Sequence, residues 1–456
     1  MSMKKTVLTS ILCLTLLLPL AAGDGSYGYS ELKSSLKANS TSLQSAVETV
    51  KQAKLDTKDA KANYHPTIDL TVSGSYIINP IGPITVNASE LGLPYNQYIT
   101  LYDGMESTLY QTQLSIQQPI FTWGKISNAV KAYEEIEAVR GLQLTDTENQ
   151  LDAELKTRLA AMYYMDEMIG LLSEQKAYAD RLVELATSAF EQGMLLEQDL
   201  LETRIEALQL DVTISEINAQ YASNLTSLRT MTGLLDLKKE DISFTPDEEA
   251  FRRLAEQDRN VLMKSATSQS QPTLQMLSHM QSAMEYSEKV SRASVYWKPD
   301  FALQVTASYG GSRLPLVETD WYRQNDYNGM ITVAFKTTLW DGGKALNGIK
   351  RAESNTQSAV ISRDEAVNTI ITTLTEQFSA MDMAISKIAY LDLKEETLIS
   401  KVSQKETLQQ YGSASESDVL QAKIELNTCR LERIQEKMKL SQAAYLIEYL
   451  SSHRGI

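Results

Sequence analysis

Residues 193–206 read GMLLEQDLLETRIE and residues 412–425 read GSASESDVLQAKIE, one pattern written twice. Gly193, Glu197, Asp199, Leu201, Ile205 and Glu206 return as Gly412, Glu416, Asp418, Leu420, Ile424 and Glu425, each 219 residues later. The same offset carries Gly124, Lys125, Asn128, Lys131 and Glu134 onto Gly343, Lys344, Asn347, Lys350 and Glu353. Further upstream, Pro66, Leu70, Val72, Ser75 and Tyr76 reappear as Pro299, Leu303, Val305, Ser308 and Tyr309 at an offset of 233, so 14 extra residues lie between Pro66 and Gly124. A chain built twice from strand, loop, strand and long helix is a duplicated architecture, and that repeat governs every later reading.

Most of the chain reads as helix. Ile424, Leu431, Met438 and Tyr445 fall seven apart, with Leu420 and Ile434 on the second seam of a heptad, and Leu36, Leu43 and Val50 repeat the spacing near the N-terminus. No proline interrupts Lys125 to Gln192, and a continuous helix of that length is about 100 Å long. Such a helix belongs in a coiled coil or a helical barrel rather than an ordinary globular core.

Two windows, Tyr64 to Gly124 and Trp297 to Gly343, break the helical pattern. In the first, Ile68, Leu70, Val72 and Tyr76 alternate with Asp69, Thr71, Ser73 and Ser75, and Tyr110, Thr112, Leu114 and Ile116 alternate with Gln111, Gln113, Ser115 and Gln117. In the second, Phe301, Leu303, Val305, Ala307 and Tyr309 alternate with Gln304, Thr306 and Ser308, while Ile331, Val333, Phe335 and Leu339 alternate with Thr332, Ala334 and Lys336. One apolar and one polar face suits a membrane barrel with a wet lumen; half-buried soluble hairpins are the alternative. All four tryptophans, Trp123, Trp297, Trp321 and Trp340, fall in or beside these windows. Trp123, Trp297 and Trp340 lie where strand meets helix, as anchors at a membrane interface would. Four strands cannot close a lumen, and an open edge is not tolerated in lipid, so several chains must share one barrel. Loops at Asn79 to Ser107 and Ser312 to Asn325 read as long and polar enough to face outside.

The N-terminus names a compartment. Lys4 and Lys5 precede an apolar run from Val7 to Leu20 and a small-residue site at Ala21, Ala22 and Gly23, the pattern of a cleaved signal peptide. An uncleaved anchor is disfavoured because the run is short of the roughly 20 residues that span a bilayer. Cleavage leaves Cys429 alone and excludes an internal disulfide. The formal charge of −15 becomes −17 without Lys4 and Lys5, which argues against nucleic acid as a partner. His65, His279 and His453 lack metal-ligand spacing. No nucleophile, metal cluster or phosphate loop points to an enzyme or a cofactor, and Met162, Met165 and Met168 read as helix packing.

Taken together, these residues resemble the TolC-like outer-membrane efflux proteins over nearly the whole mature chain. The resemblance rests on Tyr64 to Pro66 and Trp297 to Pro299, on the turns from Gln118 to Lys125 and from Leu339 to Lys344, on Gln271 to Leu274, and on the tips Phe190 to Leu200 and Tyr411 to Leu420. It implies a mainly α chain with a transmembrane β-barrel portion. Each chain would give four strands to a 12-stranded barrel shared by a homotrimer, and long helices to a periplasmic coiled-coil barrel. The chain then divides into a signal peptide (1–23), a periplasmic helix (24–64), a first hairpin with its loop (65–123), long helices with a tip turn (124–232), an equatorial mixed segment (233–270), a helix (271–297), a second hairpin (298–341) and long helices with a second tip turn (342–456).

Functionally, the resemblance implies the exit duct of a tripartite efflux or type I secretion system, set in outer-membrane lipid. An inner-membrane pump would feed it and a periplasmic adaptor (membrane fusion) protein would open it. Gly193, Glu197, Asp199, Gly412, Glu416 and Asp418 would form the gate and adaptor-docking tips. Gly193 and Gly412 suit a residue leaving a helix at positive φ, and the acids suit the first turn of the next helix. A ring of such acids would favour cations and raise some pKa values by mutual repulsion. Ala414 and Gln421 stand where the family pattern has an arginine and an acid, which puts the family's salt-bridge lock in doubt here. A periplasmic coiled-coil scaffold or adhesin without a pore is the alternative; it would keep the heptads but has no use for the hairpins.

Overall fold

A computed structural model describes residues 26–295, 297–312 and 326–451. The expected signal peptide, Trp321 and most of the second loop lie outside the described residues. In chain order come α1 (Tyr29–Asn39), α2 (Thr41–Ala62), β1 (Thr67–Tyr76), β2 (Ile84–Asn87), β3 (Tyr98–Tyr102), β4 (Thr108–Phe121), α3 (Lys125–Glu191) and α4 (Glu197–Thr232). There follow α5 (Glu248–Glu256), α6 (Arg259–Ala266), α7 (Pro272–Ala293), β5 (Asp300–Gly311), β6 (Tyr327–Lys336), α8 (Lys344–Gln410) and α9 (Glu416–Ser451). The duplication is kept to the residue: α3 and α8 both have 67 residues, and α4 and α9 both have 36.

At 1.5 Å per residue α3 and α8 are each about 100 Å long, too long for one partner to cover. Shorter helices share the task. α2 and α4 pack along α3, α9 packs along both long helices, and α7 bridges them as well. α1 and α4 meet near end to end, where Asn39 Nδ2 donates to the Thr232 carbonyl at 2.9 Å and Gly233 leaves the helix at φ +72°. Where helices change partners, the packing thickens into two cores. Leu32, Leu36, Leu155, Leu159 and Leu228 form one; Tyr164, Phe251, Leu254, Phe378 and Tyr445 belong to the other, with the Phe251 and Tyr445 rings edge to face at 5.3 Å. Lys156 and Glu448 join α3 to α9 at 2.7 Å while nearly buried, with the Tyr29 and Tyr445 rings over the ammonium. A charge so placed is costly unless paired. Met162, Met165 and Met168 are buried in these cores, and buried Cys429 donates to the Leu391 carbonyl.

The strands form one antiparallel sheet in the order β1-β4-β5-β6, and β1 and β6 each have a single partner among the described residues. Because α2 leads into β1, β4 into α3, α7 into β5 and β6 into α8, all four helices meet the sheet at the same end of its strands. Two details depart from the sequence reading. The loop read as polar, Asn79 to Ser107, carries a second sheet of β2 and β3 and exposes Ile81, Ile84, Leu91, Tyr98 and Leu101. At 4 and 5 residues, β2 and β3 are too short for alternation to mark them. Leu339, read as part of the last strand, lies beyond β6, which ends at Lys336.

Candidate functional site

Directly opposed residues on antiparallel strands share a face, so the register tests whether the alternation of four separate strands adds up to one surface. It does. Ile68 faces Ile116, which faces Val305, which faces Ile331; Leu70, Leu114 and Ala307 form the next row, and Leu303 with Val333 another. The opposite face carries Asp69, Ser115 and Thr306 with Met330 as an apolar member of that row, then Thr71, Gln113, Ser308 and Asn328, then Thr67, Gln117, Gln304 and Thr332. No described residue covers the apolar face at the sheet's edges: Leu70 is 66% and Ile331 75% exposed.

Aromatic rings bound that face at both ends. Phe121, Phe301 and Phe335 stand side by side at the helix end with centroids 6.4 and 6.1 Å apart, and Trp123 packs edge-on against Phe121 at 5.0 Å. Tyr309 and Tyr327 pair at the far end at 5.2 Å. From Phe301 to Tyr309 a strand rises about 27 Å, matching the apolar band of about 25 Å of outer-membrane barrels.

The three tryptophans expected as anchors are not equivalent. Trp123 holds φ +53°, an unusual value for a bulky residue, and its Nε1 donates to the Pro299 carbonyl at 2.8 Å. The matching position in the second copy is Gly342, also at positive φ. Trp297 and Trp340 instead line a cleft whose walls include Gln117, Ala302, Ala334 and Lys336, all from the polar face.

At the far ends of the long helices the two tips share a backbone and differ in chemistry. Gly193 and Gly412 sit at φ +72° and +73°. Each closes its helix by donating to the carbonyl three residues back, Phe190 and Gln409, at 2.9 Å, while Met194 and Ser413 donate to Ala189 and Leu408, a C-terminal cap that glycine favours. Beyond the second turn, Ser415 and Asp418 cap α9 reciprocally: Asp418 Oδ2 accepts from the Ser415 amide at 3.0 Å, and Ser415 Oγ accepts from the Asp418 amide at 3.1 Å. The Ser415 amide, the Ser415 hydroxyl donating to Oδ2 at 2.8 Å and Lys405 at 3.1 Å hold the Asp418 carboxyl down at about 2. Glu416 is held below its ordinary value by Arg181 of α3, which donates from Nε at 2.8 Å and from Nη2 at 3.2 Å. Within one chain these shifts run opposite to the rise expected of a crowded acidic ring. On the first tip, Leu196 stands where Ser415 caps the second, and Glu197 and Asp199 are exposed with no ion pair among the described residues.

Sequence reasoning could have found the Ser415-x-x-Asp418 box from its spacing. Arg181 lies 235 residues from Glu416, and no local signal links them. His279 contacts Glu135 at 2.6 Å, and among the described residues no group of three His, Cys, Asp or Glu side chains could hold a metal. Nor is any described helix long and apolar enough to cross a membrane.

The profile of the family described as outer membrane efflux protein matches residues 32–234 and 264–448. Solved structures share the fold. The outer membrane protein VceC of Vibrio cholerae superposes with a TM-score of 0.70 at 16% identity, covering 93% of this chain and 96% of its own. The CmeC outer membrane channel of Campylobacter jejuni gives 0.71 at 12%, over 93% and 85%. The MtrE outer membrane channel of Neisseria gonorrhoeae, in its open state, gives 0.67 at 12%, over 93% and 88%. Among curated proteins, none matches the chain.

Proposed function

Because the chain belongs to the outer membrane efflux protein family, we propose that three copies close a twelve-stranded barrel, four strands from each, as the exit duct of a tripartite efflux or type I secretion system. The carrying observation is the register that sets the rows of Thr67, Asp69 and Thr71 on one face, with Met330 the apolar exception, and the rows of Ile68, Leu70 and Leu303 on the other, with Gln118 the polar exception. The apolar face suits lipid, and the polar face suits a wet lumen. The single-partner strands β1 and β6 leave backbone groups that hydrocarbon cannot satisfy, and pairing β6 of one copy with β1 of the next removes both edges. On α4, Leu201, Ile205, Leu208 and Val212 form an exposed apolar stripe at helical spacing, a seam for a neighbouring copy.

On this reading the helices stand in the periplasm with the glycine turns at the inner end, where a periplasmic adaptor meets them and an inner-membrane pump delivers cargo. Opening is a population shift: the adaptor binds the open tip more tightly than the closed one. Arg181–Glu416 and Lys405–Asp418 are the contacts such a shift would rearrange. Conduction is passive and needs no cofactor or reacting group. Trp123 meets lipid at the interface, with Trp297 and Trp340 on the duct side of the junction.

Membrane fractionation followed by sizing with and without heating tests the proposal. A detergent-stable trimer in the outer membrane that falls to monomer on boiling supports it. A soluble periplasmic species would mean the hairpins never enter lipid, and a coiled-coil scaffold or adhesin would replace the duct.

A further inference from the structure

The two strand-to-helix junctions begin from the same sequence frame and end differently. In the first, Gln118, Pro119 and Phe121 stay paired with Leu303, Ala302 and Phe301 almost to the start of α3. In the second, β6 ends at Lys336, and Thr337 to Trp340, which match Gln118 to Phe121 by the offset of 219, leave the sheet before α8 starts. Their departure opens a cleft of about 790 Å³ between the sheet's polar face, the end of α7 and the start of α8, within the size range of small-molecule sites.

Its lining is divided by chemistry. Trp297, Leu339, Trp340 and Leu346 give an apolar wall, and Lys125, Lys298 and Lys336 bring three cations in a chain that is otherwise strongly acidic. The two acids present are already engaged. Asp300 Oδ2 holds Lys125 at 2.8 Å, and Asp341 accepts from the amides of Gly343 at 2.9 Å and Ala345 at 2.7 Å. Lys298 donates to the Arg292 carbonyl at 3.2 Å, and Lys336 makes no ion pair among the described residues. At the first junction Gln117 stands for Lys336, His65 for Lys298 and Thr67 for Asp300.

We propose that this cleft binds an amphipathic organic anion, a flat apolar ring body with a carboxylate or sulfonate. The anionic head lies at Lys336 and Lys298, and the rings lie against Trp297 and Trp340. The cleft opens on the polar face, so its place along an export path rests on the duct reading, whereas binding itself does not.

The test uses the full chain in neutral-lipid nanodiscs, with empty discs subtracted and 6-hydroxynaphthalene-2-sulfonate as probe, followed by tryptophan quenching and equilibrium dialysis. One saturable site per chain is expected, weakened about tenfold or more by Lys336→Glu, weakened several-fold by Trp340→Ala, and unchanged by Lys344→Gln outside the cleft. Lys336→Gln serves if the charge reversal disturbs assembly. 2-Naphthylmethylammonium should not compete. Equal binding by the Lys336 variants, or equal competition by the cation, overturns the proposal. Trimer formation and conductance are scored separately, so loss of the duct with binding intact refutes only the duct.

Discussion

Replacing Gly412 by alanine should loosen the second tip by an amount the structure sets. At φ +73° any side chain is strained, yet a Cβ built there meets no atom within 4 Å, so the cost is conformational alone, about 1–2 kcal/mol. Gly233 is the contrasting case. It has nearly the same φ, +72°, but its Cβ would lie 2.6 Å from Asn39 Cβ and would push Asn39 away from Thr232. Gly233→Ala therefore adds a steric clash and a lost hydrogen bond to the same backbone strain. Hydrogen exchange with mass spectrometry on the solubilised protein reads both. Gly412→Ala should speed exchange of the amides of Gly412 and Ser413, which donate into the cap, by about 5- to 30-fold, and leave peptides around Asn39 unchanged. Gly233→Ala should speed exchange around Asn39 and Thr232 by more than that, and spare the tip. Unchanged exchange at Ser413 in Gly412→Ala, or equal effects of the two substitutions at one site, would refute the reasoning. Gly412→Asn, which tolerates positive φ, should fall between wild type and alanine.

Three further outcomes follow from the two ends of the molecule. Converting Glu197, Asp199, Glu416 and Asp418 to their amides should lower cation over anion permeability in planar bilayers, and unchanged reversal potentials would retire the acidic constriction. Asp418 is depressed to about 2 in the folded chain from an ordinary 3.8, so its stabilisation is complete above about pH 4 and lost as pH falls toward 2. Exchange at the start of α9 should accordingly be no less protected at pH 5 than at pH 7 once intrinsic rates are corrected, and Asp418→Asn should remove that protection at both. Trp123→Phe keeps a ring against Phe121 but loses the bond to the Pro299 carbonyl, about 1 kcal/mol; heat dissociation of the oligomer should move down, and an unmoved transition would mean the bond does not support assembly.

Legibility followed the range of the interaction. The 67-residue helices, the glycine turns and the alternating faces were readable because periodicity, proline placement and positive-φ glycines act over a few residues. The β2–β3 sheet was missed because its strands, of 4 and 5 residues, are too short to show a period, and the early end of β6 because Leu339 keeps the right parity while its backbone has already left the sheet. At the tips, sequence placed equivalent acids in equivalent turns. It could not show that Arg181 and Lys405 engage one pair and leave the other exposed, since those partners arrive through helix packing.

The sequence by itself determined the duplication, the helix lengths, the four strands and which face of each is apolar, because these are set by residues within one turn or one strand of each other. Tertiary structure alone decided that the four apolar faces fall in one continuous register, that Trp123 joins that face while Trp297 and Trp340 line a cleft on the other, and which tip acids are paired. Each of these depends on which distant segments the fold brings into contact, and a loop can join the same strands and helices at other registers without changing any local pattern.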